Sequence, residues 1–265
     1  MKILFVYYIR DEKYWKDGLC AAIELLSRKH DVTKLNLAKT FNGLNFEDFD
    51  FVLGWGAFCS PAETLLTGLT KNKKGLCLAG NATPVPKYIN YDVIFYETDW
   101  IKDNYLKDVQ VPLVKAFGVN DNIFYRNRLI NEKIWDYLSV GAFAYWKNHH
   151  KMIDKKGTRL CIGEIQKDNM LESLDIIRGL VTNDIAVSGM VTPKKLNKIY
   201  SLSKTVYIPA TLEGGGERAV LEARTCGCNV IVENEKLAEL NRCRIPNHTD
   251  YFNRLNETIT AICTK

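Results

Sequence analysis

The segment Glu213-Gly-Gly-Gly-Glu-Arg-Ala-Val-Leu-Glu-Ala223 carries the most chemistry in this chain. It follows an apolar run, Thr205-Val-Tyr-Ile-Pro-Ala210, that reads as a buried strand, and it leads into Arg218–Arg224, which reads as a helix. Gly214, Gly215 and Gly216 at such a turn let bare backbone approach a bound group. The first N–H groups of the helix then face that group, and the helix dipole favours an anion there. Glu213, Glu217 and Glu222 sit around the turn. A carboxylate repels phosphate but accepts hydrogen bonds from sugar hydroxyls. Phosphate and sugar hydroxyls together describe a nucleotide or nucleotide-sugar. Arg218 opposes the dipole in the first helical turn, and a bound diphosphate would give that charge a reason.

The elements that must position this segment follow a repeating βα pattern. Short apolar runs at 3–7, 31–35, 51–53, 75–78, 93–96 and 112–114 read as strands, with helical patterns over 18–26 and 61–66. Residues 118–133 are polar and irregular and read as a linker. A second series follows, with strands at 136–140, 159–162, 185–187, 206–208 and 229–232 and helices near 169–180, 193–203, 217–225 and 235–241. The expectation is an α/β protein of two Rossmann-like, doubly wound domains facing a cleft. The first spans 1–125 and the second 126–265, with the last helix able to cross back to the first. Ligands of such sheets bind beyond the carboxyl ends of the strands. By that rule Asp48-Phe-Asp50 and Lys71-Asn-Lys-Lys74, which both precede strands, read as surface features, the lysines as a solvated loop. The first βα turn lacks Gly-x-Gly-x-x-Gly, which argues against a dinucleotide cofactor on the first half.

Composition narrows the class. Residues 1–124 carry 15 Lys/Arg and 15 Asp/Glu, and residues 125–265 carry 21 and 16, so the whole excess of +5 lies in the second half. A nucleotide-diphosphate site there would use it, whereas an obligate nucleic-acid binder usually shows a denser basic patch. The apolar runs are too short to span a bilayer. The N-terminus reads as a first strand rather than a signal peptide. Eight scattered cysteines read as reduced thiols, and Cys226-Gly-Cys228 with Cys243 is no recognisable zinc spacing. A cytoplasmic protein is expected.

Four segments, in order, resemble the retaining glycosyltransferases of GT-B fold, close to glycosyltransferase family 4. Val111–Phe124 is similar to the family's interdomain segment. Val140-Gly-Ala-Phe-Ala-Tyr-Trp-Lys-Asn-His149 is similar to its donor-phosphate loop. Asn183–Val191 is similar to the strand and loop that cradle the base, and Glu213–Gly227 to the Glu-rich donor motif. The likeness covers about residues 90–240 and is specific only in its last segment. Three departures stand out. Eight residues separate Glu213 from Glu222 where the family has seven. Ala142 replaces the family's arginine. Finally, the first half offers only His30, before a strand, in place of a histidine near the reacting sugar.

The resemblance implies a donor site made of Gly141, Lys147, Gly189, Met190, Glu213, Gly214, Gly215, Gly216, Glu217, Arg218 and Glu222. In it Lys147 and Arg218 neutralise the leaving diphosphate, Glu213 contacts the sugar near its anomeric centre and Glu222 binds ribose hydroxyls. Lys147, Glu213 and Arg218 are the catalytic candidates. No metal and no cofactor are expected, the nucleotide-sugar being a UDP- or GDP-linked co-substrate. On the acceptor side, Asp17, Gly18, Glu97 and Asp99 fall at carboxyl ends of strands, where a carboxylate could orient a hydroxyl or take its proton. Trp55 could form an aromatic platform there, or equally belong to the core. His149 and His150 read as ordinary surface or capping groups. A neutral first domain without a membrane-docking helix favours a soluble acceptor, either a small molecule or a glycan. The basic second domain keeps a hydroxymethylated DNA base in view. A non-catalytic nucleotide-sugar binder and a GT-B-like sugar epimerase remain as alternatives.

Overall fold

The computed structural model describes residues 1–40, 43–79, 90–210 and 217–265. The chain divides into two compact units, Met1–Gly118 with Pro246–Lys265, and Val119–Ile245.

The first unit holds six strands: β1 (Lys2–Tyr7), β2 (Asp31–Asn36), β3 (Phe51–Gly56), β4 (Lys74–Leu78), β5 (Val93–Tyr96) and β6 (Leu113–Lys115). They form one parallel sheet in the order β2-β1-β3-β4-β5-β6. The central strands are apolar almost throughout, because helices cover both faces of the sheet and no alternation is left to show. Helix α1 (Gly18–Lys29) starts at Asp17, whose side chain accepts from the Cys20 amide, and buries Leu19, Ala22, Ile23 and Leu26 at helical spacing. Helix α2 (Pro61–Gly68) starts at Ser60 with proline in its first turn. Helix α3 (Asp99–Tyr105), which has no strong sequence pattern, is capped by the Thr98 hydroxyl on the Ile101 amide.

The second unit holds β7 (Trp135–Val140), β8 (Arg159–Ile162), β9 (Ala186–Ser188), β10 (Ser203–Ile208) and β11 (Asn229–Val232). They are parallel in the order β11-β10-β7-β8-β9. Helices α4 (Met170–Thr182), α5 (Pro193–Ser201), α6 (Glu217–Thr225) and α7 (Ala238–Arg242) accompany them. The final helix, α8 (His248–Cys263), belongs to the first unit. It opens with a capping box between Asn247 and Asp250 and packs on α1, where His30 Nε2 meets Asn256 Oδ1 at 2.9 Å.

One sequence reading is corrected. Lys74 is not part of a solvated loop; it is buried at the start of β4. Its ammonium donates to the carbonyl of Leu66 at 2.8 Å and to that of Leu69, where α2 ends and intrahelical donors run out. Burial lowers the pKa of this lysine.

Both sheets reverse their winding once. The first switches direction between β1 and β3, the second between β7 and β10. Open α/β sheets bind ligands outside the carboxyl ends of such strand pairs.

Candidate functional site

At the switch point of the second sheet, two loops leave neighbouring strands. The loop after β7 carries Gly141–Lys147, and the chain after β10 runs through Pro209 towards α6. Asn148 joins them, its side-chain amide donating to the Pro209 carbonyl at 3.1 Å. Asn148 adopts a left-handed conformation (φ 51°), which Asn tolerates better than most residues. That turn separates two short 3-10 segments, Tyr145–Lys147 and His149–Met152.

His149 fixes the loop from below. It is buried, with Nδ1 3.0 Å from the Ser139 hydroxyl oxygen and Nε2 3.0 Å from the Ala142 carbonyl. A carbonyl can only accept, so Nε2 carries the proton and Nδ1 accepts from Ser139. Burial drives its pKa down to about 4, which keeps the ring neutral at physiological pH. The sequence reading missed this role, since nothing in Lys147-Asn-His-His-Lys151 shows which way His149 points. The loop also needs bare backbone beside it. A Cβ placed on Gly163, just past β8, would stand 2.0 Å from the Gly141 carbonyl oxygen. The aliphatic part of Lys147 lies against Gly141, with Cδ 3.4 Å from where a Cβ would be.

Helix α6, the next element after β10, begins at Glu217, and Arg218 is exposed in its first turn. Glu222 is half-buried one turn further on, and its Oε2 accepts from the Tyr200 hydroxyl at 3.2 Å. Tyr200 is buried completely, and desolvation with the nearby Glu222 raises its pKa far above the usual phenol value. Tyr200 is thus a partner that sequence reasoning did not find; it sits 22 residues away on α5. Gly189 and Met190, just past β9, are exposed. Glu213, Gly214, Gly215 and Gly216 lie outside the described residues. The described arrangement offers Lys147 in the loop after β7, a helix start as the next element after β10, and on that same helix a carboxylate tethered to Tyr200.

The first unit has its own cluster at its switch point. Trp55, near the end of β3, lies against Trp15 with ring centroids 5.2 Å apart, and Trp15 meets Tyr7 of β1 at 4.8 Å. Trp15 and Tyr7 are buried, while Trp55 is partly exposed. Asp17 is occupied on both oxygens: Oδ1 accepts from the Cys20 amide at 2.9 Å and Oδ2 from the Trp15 indole at 3.0 Å. It therefore fixes the start of α1 at Gly18 and the pose of Trp15. Asp99 is exposed and paired with Lys115 at 2.7 Å. Glu97 is half-buried, and its charge helps raise the pKa values of Cys77 and Tyr251, behind the larger effect of burial. Among the described residues, no three His, Cys, Asp or Glu side chains gather closely enough to hold a metal ion. Nor is any helix there long and apolar enough to cross a membrane.

No family model and no curated protein matches this sequence. Solved structures do match in fold. A glycosyltransferase from Rickettsia africae superposes with a TM-score of 0.66 at 14% identity, covering 98% of this chain and 88% of its own. HepE from Anabaena, in complex with UDP and glucose, gives 0.64 at 11% identity over 100% and 95%. UDP-GlcNAc 2-epimerase from Neisseria meningitidis, bound to UDP-GlcNAc, gives 0.61 at 14% over the full length of both chains. The chain thus has the two-sheet α/β architecture of GT-B glycosyltransferases.

Proposed function

We propose that this protein is a glycosyltransferase that takes a sugar from a UDP- or GDP-linked donor and attaches it to an acceptor hydroxyl with retention of configuration. The observation that carries the reading is the meeting of the β7 and β10 loops at the switch point, tied by Asn148 and Pro209, with α6 the next element of the chain after β10. On this reading Lys147 and the start of α6, with Arg218, take the negative charge that builds on the diphosphate as the bond to the sugar breaks. Electrostatic stabilisation of this kind is often worth several kcal/mol in an enzyme. Glu222, held by Tyr200, binds the ribose hydroxyls. Glu213 contacts the sugar, and the amides of Gly214, Gly215 and Gly216 approach the diphosphate. Gly141 leaves room for Lys147, while Gly189 and Met190 lie along the base. No metal takes part, because these groups already supply the positive charge.

The first unit would receive the acceptor near Trp55 and Trp15, with Glu97 closer to an acid–base role than Asp17, whose oxygens are both engaged. The acceptor we propose is a soluble small molecule or glycan. A hydroxymethylated DNA base is the further candidate.

Incubation with a panel of UDP- and GDP-sugars tests the proposal. Release of free nucleoside diphosphate, by transfer or slow hydrolysis, is the expected result. The fold shared with a UDP-GlcNAc epimerase supplies the second reading, under which the same incubation yields an isomerised nucleotide-sugar and no free diphosphate. Binding without any turnover would leave a non-catalytic nucleotide-sugar binder.

A further inference from the structure

A positively charged cavity lies in the second unit, at the end of its sheet opposite Lys147. It sits where the chain enters β7, where α5 ends and where α6 turns into β11, at the amino ends of the strands. Its volume is about 360 Å³. Arg126, Arg128 and Lys133 line it with the amides of Asn127 and Asn131, and no carboxylate does. Glu132 belongs to the same stretch but is exposed and outside the lining. Three other basic side chains of this unit find acids: Lys204 pairs with Asp136 at 2.6 Å, Lys151 with Glu233 and Arg178 with Asp175. Among the described residues, Arg126, Arg128 and Lys133 form no such pair.

Part of this charge has a structural reason. α5 and α6 both end at the cavity, and each helix terminus carries roughly half a negative charge that favours a nearby cation. Lys133 answers one of them directly, donating to the Ser201 carbonyl at 2.6 Å. Two helix ends offset roughly one of the three positive charges, leaving an excess of about two. The two arginines hold most of it, and a guanidinium fork matches the oxygens of a phosphate. The backbone is shaped to seat one of them. Gly227 has φ +80°, and a Cβ there would come within 3.0 Å of Arg126 Cδ, so the arginine stem lies against bare glycine. An ammonium has three protons, and the bond to Ser201 uses one of those on Lys133.

We propose that this cavity binds the phosphate group of a small phosphate ester, on Arg126, Arg128 and Lys133. The residual charge suits a dianion, and the bounded cavity suits a compact ligand better than a long polyanion, which needs an extended basic stripe. The proposal does not depend on the glycosyltransferase reading, since it uses none of the donor residues.

The test is ³¹P NMR titration with inorganic phosphate and with glycerol 3-phosphate, in protein saturated with UDP. The R126Q/R128Q double variant should weaken binding at least about tenfold, as expected when charge-assisted hydrogen bonds are lost, and should flatten its salt dependence. K147A, altered at the opposite end of the sheet, should bind both probes like the wild type and so keeps the test valid if UDP does not bind. Both arginines are exposed, so the double variant should keep the wild-type melting temperature. R126K, which keeps the charge but loses the fork, should fall between. Undiminished binding in R126Q/R128Q, or no binding of either probe by the wild type, overturns the proposal. So does duplex DNA binding through these arginines at about 50 mM salt, where phosphate contacts are strong, if both small probes fail.

Discussion

The carboxylate of Glu222 is held by the hydroxyl of Tyr200, 3.2 Å away, and Tyr200 is buried without remainder in the second unit. A half-buried glutamate on a helix can swing through several rotamers. A fixed phenol donor restricts it to few, and on the proposed function that pose is the one offered to a ribose diol. Tyr200→Phe should therefore weaken UDP several-fold, in keeping with the about 1 kcal/mol net worth of a typical hydrogen bond. The helical fold should survive, because the aromatic packing of Phe124 on this ring remains. Calorimetry with UDP and a melting curve on the same sample check both halves. Unchanged affinity would mean that Glu222 needs no orienting partner.

Lys147 and Glu222 should fail in different ways. If Lys147 faces the phosphates as proposed, K147A removes that charge and should lower UDP affinity about tenfold or more and reduce its dependence on salt. Loss of the glutamate removes acceptors for neutral hydroxyls. E222A should therefore penalise UDP but leave the salt dependence as it was. Affinities measured across a series of salt concentrations separate the two. A steep salt dependence retained in K147A would take Lys147 out of the phosphate site.

Much of this was readable from the chain because parallel strands buried on both faces announce themselves as apolar runs. β1, β3, β5, β8 and β11 fall where their runs lie. The start of α6 was legible from Glu217 and Arg218 following three glycines. What stayed hidden depends on distance in sequence. Nothing in Lys71-Asn-Lys-Lys74 tells which lysine turns inward; that is decided by the carbonyls at the end of α2, which Lys74 meets. His149 and Tyr200 are anonymous for the same reason, since their partners, Ala142 and Glu222, become neighbours only when the sheet forms. α3 was missed because its seven residues bury one large side chain, Ile101, too few for a periodic signal.

Gly163 should tolerate no side chain. Its Cβ would stand 2.0 Å from a backbone oxygen, that of Gly141, which cannot rotate away as a side chain would. Gly163→Ala should cost about 1–3 kcal/mol, the usual range for overpacking, and should weaken UDP by displacing the Lys147 loop. Gly179→Ala is the control: nothing lies within 4 Å of a Cβ there, and alanine suits a helix interior better. Denaturant melts of the two variants should move in opposite directions.

His149 gives the protein an acid-sensitive loop. Its pKa is about 4 in the folded chain against an ordinary value of 6.5, chiefly because burial penalises the charged ring. Between those values the unfolded chain binds a proton that the folded chain refuses, so stability rises with pH through that window. The full contribution is present above about pH 6.5 and is lost as pH falls towards 4, with a slope of at most about 1.4 kcal/mol per pH unit. Across the window this amounts to about 3 kcal/mol. His149→Gln keeps a donor for the Ala142 carbonyl but cannot titrate. It should be less stable than the wild type at neutral pH, where the fitted imidazole is lost, and the gap should narrow or reverse near pH 5. Urea denaturation of both proteins from pH 4.5 to 7.5 measures this. Parallel stability curves, with the same offset at every pH, would show that the ring is not neutral in the folded protein or is equally accessible to protons in both states.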